Sequence, residues 1–193
     1  MIEKSPVSTA FGTFTWNDPC WESEPISVPV LGGAPVRVQI FEAEATDLFA
    51  PDEAGALQRF LALPRERSAE IIPHLWRYYQ DVLKAIGPED MPEIAEPSDI
   101  WAHVQPHWIS LGRGEDGLVY VSIESECDWE VEHGLQLVLQ NGDRWVRVSD
   151  YSGHLTDGAA WGKSALDEWM KDPNAMLPVR GSEDFHAARR DRK

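Results

Sequence analysis

Cysteine is nearly missing: Cys20 and Cys127 are the only two in 193 residues. Thiols so far apart in sequence set out no disulfide framework and no Cys-x-x-Cys metal motif. Long hydrophobic runs are missing too, and none approaches the ~18 apolar residues of a membrane span. The opening residues, MIEKSPVSTAFG, lack the apolar core of a signal peptide. Positive charge is scarce, since 17 Lys and Arg stand against 33 Asp and Glu, a formal net charge of -16. Such an excess repels nucleic acid and anionic membrane, and it favours basic partners or divalent cations. It also serves solubility alone, with no specific partner. No G-x-S-x-G, P-loop, Rossmann glycine pattern or zinc-ribbon spacing occurs. These absences predict a cytoplasmic protein with no cofactor or resident metal, and with neither nucleic acid nor membrane as partner.

Apolar material is plentiful. Hydrophobic residues make up 42% of the chain, with nine Trp, enough for a packed core. The length suits one domain over residues 1–179, followed by a flexible tail over 180–193. That tail carries five basic and three acidic residues, so the acidity belongs to the body.

Residues 11–45 are rich in β-branched and aromatic side chains and predict a β-hairpin region, with Gly32-Gly33 as a turn. Trp16 and Trp21 flank the Asn17–Cys20 turn, and packing of the sheet explains them better than a groove. Residues 51–87 change to a helical period. Pro51, Asp52 and Glu53 suit a helix start, and Leu57, Phe60 and Leu61 form an apolar face. A second helix carries Ile72, Leu75, Trp76, Tyr79, Val82, Leu83 and Ile86, begins or kinks at Pro73, and ends at Gly87-Pro88. Residues 88–98, with three prolines and four acids, predict a linker. A second β region spans 99–150, with a strand over Ile100–Gln105 and a bulge or edge at Pro106. A short helix over 164–172 buries Trp161, Leu166, Trp169 and Met170. The fold class is α+β: an N-terminal β-hairpin region, two central helices, and a C-terminal antiparallel sheet closed by a short helix.

One stretch, residues 117–149, asks for more than folding. With a period of two, Val119, Val121, Ile123, Ser125, Cys127 and Trp129 point one way. Tyr120, Ser122, Glu124, Glu126, Asp128 and Glu130 point the other. Four carboxylates on one face repel one another unless they meet solvent, a cation or a basic surface. All three readings stay open, although no EF-hand-like loop supports calcium. Asn141-Gly142 predicts a two-residue type I′ turn, which sets Leu137 opposite Val146 and Leu135 opposite Val148. Between lies the corner Trp129-Glu130-Val131-Glu132-His133-Gly134. Gly134 suits a tight bend, and Glu132 with His133 could form an acid–base pair. Cys127 falls among the apolar residues, which predicts an inert thiol. His103 and His107 are four apart, a helical metal spacing, but Pro106 interrupts it.

At Cys127-Asp128-Trp129-Glu130-Val131-Glu132-His133-Gly134 the chain resembles a group of bacterial domains of unknown function. Their feature is a strand ending in Cys-x-Trp-(Asp/Glu)-x-Glu-His-Gly, then a Leu-rich strand and an Asn/Asp-Gly turn. The segment from Trp16 to Glu22 and the Tyr78-Tyr79 helix are similar to that group's layout. The resemblance implies an immunity-type protein, implies no enzymatic activity, and carries over no catalytic residues. The expected function is accordingly a protein-binding domain, of immunity or adaptor type, that presents Glu124, Glu126, Asp128 and Glu130 to a basic protein. The alternative is a metal-dependent or acid–base enzyme centred on Glu132 and His133.

Overall fold

A computed structural model describes residues 4–41, 43–89 and 91–180. The basic tail expected from the sequence therefore lies, beyond Arg180, outside the described residues. The protein is α+β, with one large and mostly antiparallel sheet and a few helices.

Strands β1 (Val7–Thr9), β2 (Gly12–Asn17), β3 (Cys20–Ser23), β4 (Ile26–Val28) and β5 (Ala34–Phe41) form the N-terminal part. Strands β6 (Val104–Arg113), β7 (Val119–Cys127), β8 (Leu135–Gln140) and β9 (Arg144–Asp150) form the C-terminal part. The two parts are not separate β regions. β5 pairs with β6 in parallel, Val38 beside Ile109, which fuses them into one nine-stranded sheet in the order β1-β2-β3-β5-β6-β7-β8-β9. β4 pairs with β5 beside β3, and every other neighbour pair is antiparallel. A parallel pair needs a long crossover, and the helical segment between β5 and β6 supplies it.

Helix α1 (Pro51–Leu61) starts where the Glu53 carboxylate accepts the Ala50 N–H at 2.9 Å. Helix α2 (Ile72–Ile86) has Pro73 in its first turn, where no hydrogen-bond donor is missed, and stops at Gly87 with φ +89°. A 3-10 segment over Arg65–Glu70 joins the two. Ala56, Leu57 and Phe60 of α1 and Leu75, Tyr78 and Tyr79 of α2 pack on the sheet face formed by Val36, Val38, Ile109, Ile123 and Leu137. Each such buried aliphatic side chain contributes about 1.5–3 kcal/mol relative to exposure. Trp16 meets Trp21 edge to face at 5.4 Å, and Trp21 is fully buried, so the pair packs the sheet.

Several boundaries differ from the sequence reading. Ile100 belongs to a 3-10 turn, Pro97–His103, and the strand begins only at Val104. Residues 88–98 are strapped to the body rather than spacing it, because Ile94 is buried and the Tyr79 hydroxyl donates to the Pro92 carbonyl at 2.8 Å. The bulge at Pro106 is present, between Pro106 and Trp108. The Asn141-Gly142 turn spans three residues, since Gln140 pairs with Arg144, and a second bulge follows. Leu137 therefore faces Val148 and Leu135 faces Asp150, not the partners a two-residue turn dictates. The closing helix is two elements: α3 (Asp157–Trp161), capped by the Thr156 hydroxyl accepting the Ala159 N–H, and a 3-10 stretch over Ser164–Lys171. Trp161, expected inside, is 58% exposed.

The second face of the sheet is covered at one end. Tyr120, Val138 and Val146 are buried there against Leu155, Trp169 and Met170. Arg147 is buried beside them, held by Gln136, Ser152, Asp157 and the His154 carbonyl. Much of the face that alternation leaves to solvent is thus interior. No helix among the described residues is long and apolar enough to cross a membrane.

Candidate acidic cleft

Beyond that cover, the second face of β7 emerges into a cleft of about 430 Å³. Alternation places Tyr120, Ser122, Glu124 and Glu126 in line, and their burial falls along it. Tyr120 is 1% exposed and Ser122 5%, Glu124 is half-buried, and Glu126 is exposed. Trp108 of β6 pairs with Glu124, and the extra residue of the bulge, His107, projects beside them.

β7 ends at Cys127, one residue before the acidic row was expected to continue. The chain turns there: the Asp128 N–H donates to the His103 carbonyl, the Glu130 N–H to the Cys127 carbonyl, and the Gly134 N–H to the Glu130 carbonyl. Gly134 sits at φ +70°, and a Cβ on it would come within 2.8 Å of the Ser125 carbonyl oxygen. Only glycine closes this corner without displacing β7. Trp129 turns into the core, 2% exposed, edge-on to Tyr78 and Tyr79.

The four carboxylates are consequently not one uniform row. Glu130 has left the strand face, and its Oε2 accepts the Tyr78 hydroxyl at 3.3 Å. Its Oε1 accepts the His133 N–H at 3.3 Å and lies 3.2 Å from His133 Nδ1. Glu124, Glu126, Asp128 and Glu130 nevertheless all line the cleft, joined by Glu132. His133 is paired with Glu130, and among the described residues no hydrogen bond joins it to Glu132. His103 and His107 each face a carboxylate of their own. His103 Nδ1 is 2.8 Å from Asp128 Oδ2, and His107 Nε2 is 3.6 Å from Glu126 Oε2. Among the described residues, no three His, Cys, Asp or Glu converge as a metal site would require.

Burial pushes the Glu124 carboxyl above the usual range, with His107 nearby opposing the shift. Burial also pushes the Cys127 thiol up to about 12, so it is no nucleophile near neutral pH. Val131 at the tip of the corner is 86% exposed. Among the described residues that line the cleft there is no Lys or Arg.

Sequence reasoning missed Gln105, His107 and Trp108 as cleft residues. The Pro106 irregularity was the available signal, because a bulge re-aims one side chain. It also missed a second cleft, of about 900 Å³, between the β6–β7 turn and the α3 region, floored by Tyr120 and flanked by Asp116 and Asp167. There the Tyr120 hydroxyl donates to Asp116 Oδ2 at 2.7 Å and accepts from Gln140 Nε2 at 3.1 Å. Asp116 and Tyr120 are four residues apart, but Gln140 and Asp167 come from distant segments, and the set carries no motif.

No curated protein and no solved structure matches this chain. Over residues 10–155, a span that takes in all of the sheet from β2 to β9 and the whole acidic cleft, the chain matches and belongs to the family described as Domain of unknown function (DUF6985).

Proposed function

We propose that the chain is a non-enzymatic protein-binding domain, of immunity or adaptor type in a bacterial cytoplasm, whose acidic cleft captures a Lys/Arg-rich segment of a partner protein. One observation carries the reading: Glu124, Glu126, Asp128, Glu130 and Glu132 line a single concavity, next to Trp108 and the exposed Val131. Basic side chains bring both a charged head and an apolar stem, and this cleft offers carboxylates beside apolar surface. A Trp face adds cation–π attraction. The net charge of -16 would speed the approach of such a partner and make it salt-sensitive. The rival, an acid–base enzyme centred on Glu132 and His133, has less behind it, because the His133 ring is engaged by Glu130.

The test compares two variants of equal net charge. One neutralises the cleft (Glu124→Gln, Glu126→Gln, Asp128→Asn, Glu132→Gln). The other neutralises exposed acids elsewhere (Glu66→Gln, Glu89→Gln, Glu93→Gln, Glu115→Gln). Binding of a labelled peptide of alternating lysine and glycine is followed by fluorescence anisotropy. The cleft variant should lose roughly tenfold or more in affinity, the scale of a few interfacial charge contacts, and the control little. Equal losses in both would reduce the effect to bulk charge and sink the reading.

A further inference from the structure

Three of the five cleft carboxylates carry a histidine partner, and the three histidines come from three different parts of the fold. His103 closes the 3-10 turn before β6 and reaches Asp128 at 2.8 Å. His107 is the extra residue of the β6 bulge and lies 3.6 Å from Glu126. His133 lies in the corner and reaches Glu130 at 3.2 Å. All three are accessible, with side chains 25%, 46% and 61% exposed, so protons exchange freely with solvent.

We propose that these histidine–carboxylate pairs make the cleft a proton-operated release site, which holds a basic segment near neutral pH and lets it go in mild acid. The proposal rests on the reading above and adds its regulation. A neutral imidazole leaves its carboxylate charged and open to a lysine or arginine. An imidazolium satisfies that same carboxylate from within. Imidazole is the side chain that changes charge between about pH 8 and 5, whereas unperturbed carboxylates stay ionised down to about pH 4.5. Full protonation of the three pairs leaves Glu124 and Glu132 to carry the charge of the cleft.

The other groups that face these pairs do not reproduce the change. From β7 come Glu124 and Glu126, and from the corner Asp128, Glu130 and Glu132. From α2, Tyr78 donates to Glu130 and is pushed up by burial, so it stays neutral throughout. At the end of β9, Asp150 adds negative charge near Tyr78, and the next residue, Tyr151, lies near Glu124. Arg180 lies 5.8 Å from the Tyr78 ring and keeps its charge. Glu124, raised by burial, competes for the proton-linked effect. Linkage requires the converse as well: binding of a cation must expel protons from the cleft.

The experiment measures the Kd of the same lysine–glycine peptide at fixed ionic strength, at about pH 7.5 and 5.5, with near-UV circular dichroism confirming the fold at both. The full chain should bind about tenfold more weakly at the lower pH, within the usual 5–150-fold of coupled sites. The variant His103→Gln/His107→Gln/His133→Gln should lose most of that ratio. Calorimetry in buffers of different ionisation enthalpy should show proton release on binding to the full chain. A ratio near one in the full chain, or the same ratio in the variant, overturns the proposal and leaves the binding site standing. Failure to bind at the higher pH overturns the binding reading and this inference with it.

Discussion

Arg147 Nη1 donates to Gln136 Oε1 at 2.6 Å, inside a sheet face covered by the loop that follows β9. The guanidinium, 3% exposed, also reaches Asp157 Oδ1 at 3.2 Å, the Ser152 hydroxyl at 3.1 Å and the His154 carbonyl at 3.2 Å. Gln136 in turn donates to the Ser122 hydroxyl at 2.9 Å. One cation thus ties β8 and β9 to residues 152–157, and so positions the cover of the second face.

Removing Arg147 strands the Asp157 carboxylate and the Gln136 amide in a desolvated site. Arg147→Ala should destabilise the protein by about 3–5 kcal/mol, the range for breaking one side of a buried ion pair. Arg147→Lys should recover little, because an ammonium cannot span four acceptors on different sides. Urea denaturation reads both, and a loss under about 1 kcal/mol for the alanine variant would show the network to be dispensable.

Two turn glycines with positive φ should respond differently to the same substitution. Gly142 has φ +84° and backs onto α1, where a Cβ would collide with the Ala56 carbonyl oxygen. Gly117 has φ +77° and open space around it. Gly117→Ala should cost only the left-handed backbone term, about 1–2 kcal/mol. Gly142→Ala should cost that and the displacement of α1, together about 3 kcal/mol or more. Equal melting temperatures in the two variants would contradict the close approach of α1 to the β8–β9 turn.

Stability should decline in mild acid through His74. This imidazole lies on α2 near Val148, Leu177 and Arg180, and burial lowers it from the ordinary 6.5 to about 4. Its unfolded form therefore takes up a proton before the folded form does. Its stabilising contribution is complete above about pH 6.5 and is lost as pH falls through about 4, roughly 2–3 kcal/mol in all. His74→Gln should flatten the curve of unfolding free energy over that window, and an unchanged slope would assign the acid sensitivity to other groups.

Both thiols should be silent in the folded protein. Cys20 and Cys127 are each 3% exposed, and burial pushes them up to about 11 and about 12. A thiol-exchange reagent at about pH 8 should react with neither until denaturant is added, and then with both. Rapid labelling of the native protein at Cys127 would show that the end of β7 opens readily, and at Cys20 that the start of β3 does.

Local signals were legible in the chain. The period-two pattern of Val119, Val121 and Ile123 identifies the core face of β7, and the spacing of Leu75, Tyr79, Val82 and Leu83 marks α2. Gly134 and the Asn141-Gly142 pair mark real bends, and Asn141 and Gly142 take φ of +52° and +84°. What escaped was non-local. A period of two says which residues share a face, not what covers it, so the burial of Tyr120 and Val138 by Leu155, Trp169 and Met170 had no local sign. The bulge near Val146 moves the register of β9 by a residue through backbone geometry alone. The acidic row is visible, but the end of β7 at Cys127 is not, so alternation leaves Glu130 on the strand, whereas it lies beyond the turn and still lines the cleft. The cleft required β6 and the corner to meet, and that meeting is tertiary.

The parallel seam between β5 and β6 has a consequence for the order of events during synthesis. Arg37, Val38 and Gln39 find their partners in Trp108, Ile109 and Ser110. Until those residues leave the ribosome, one long edge of the N-terminal strands stays open, with Val36, Val38 and Ile40 still lacking their full cover. The meander from β6 to β9, by contrast, is built from neighbours joined by short turns and can zip up on its own. The last-made half should therefore serve as the template onto which the first-made half docks, and a chain halted before β6 should be the species most exposed to aggregation.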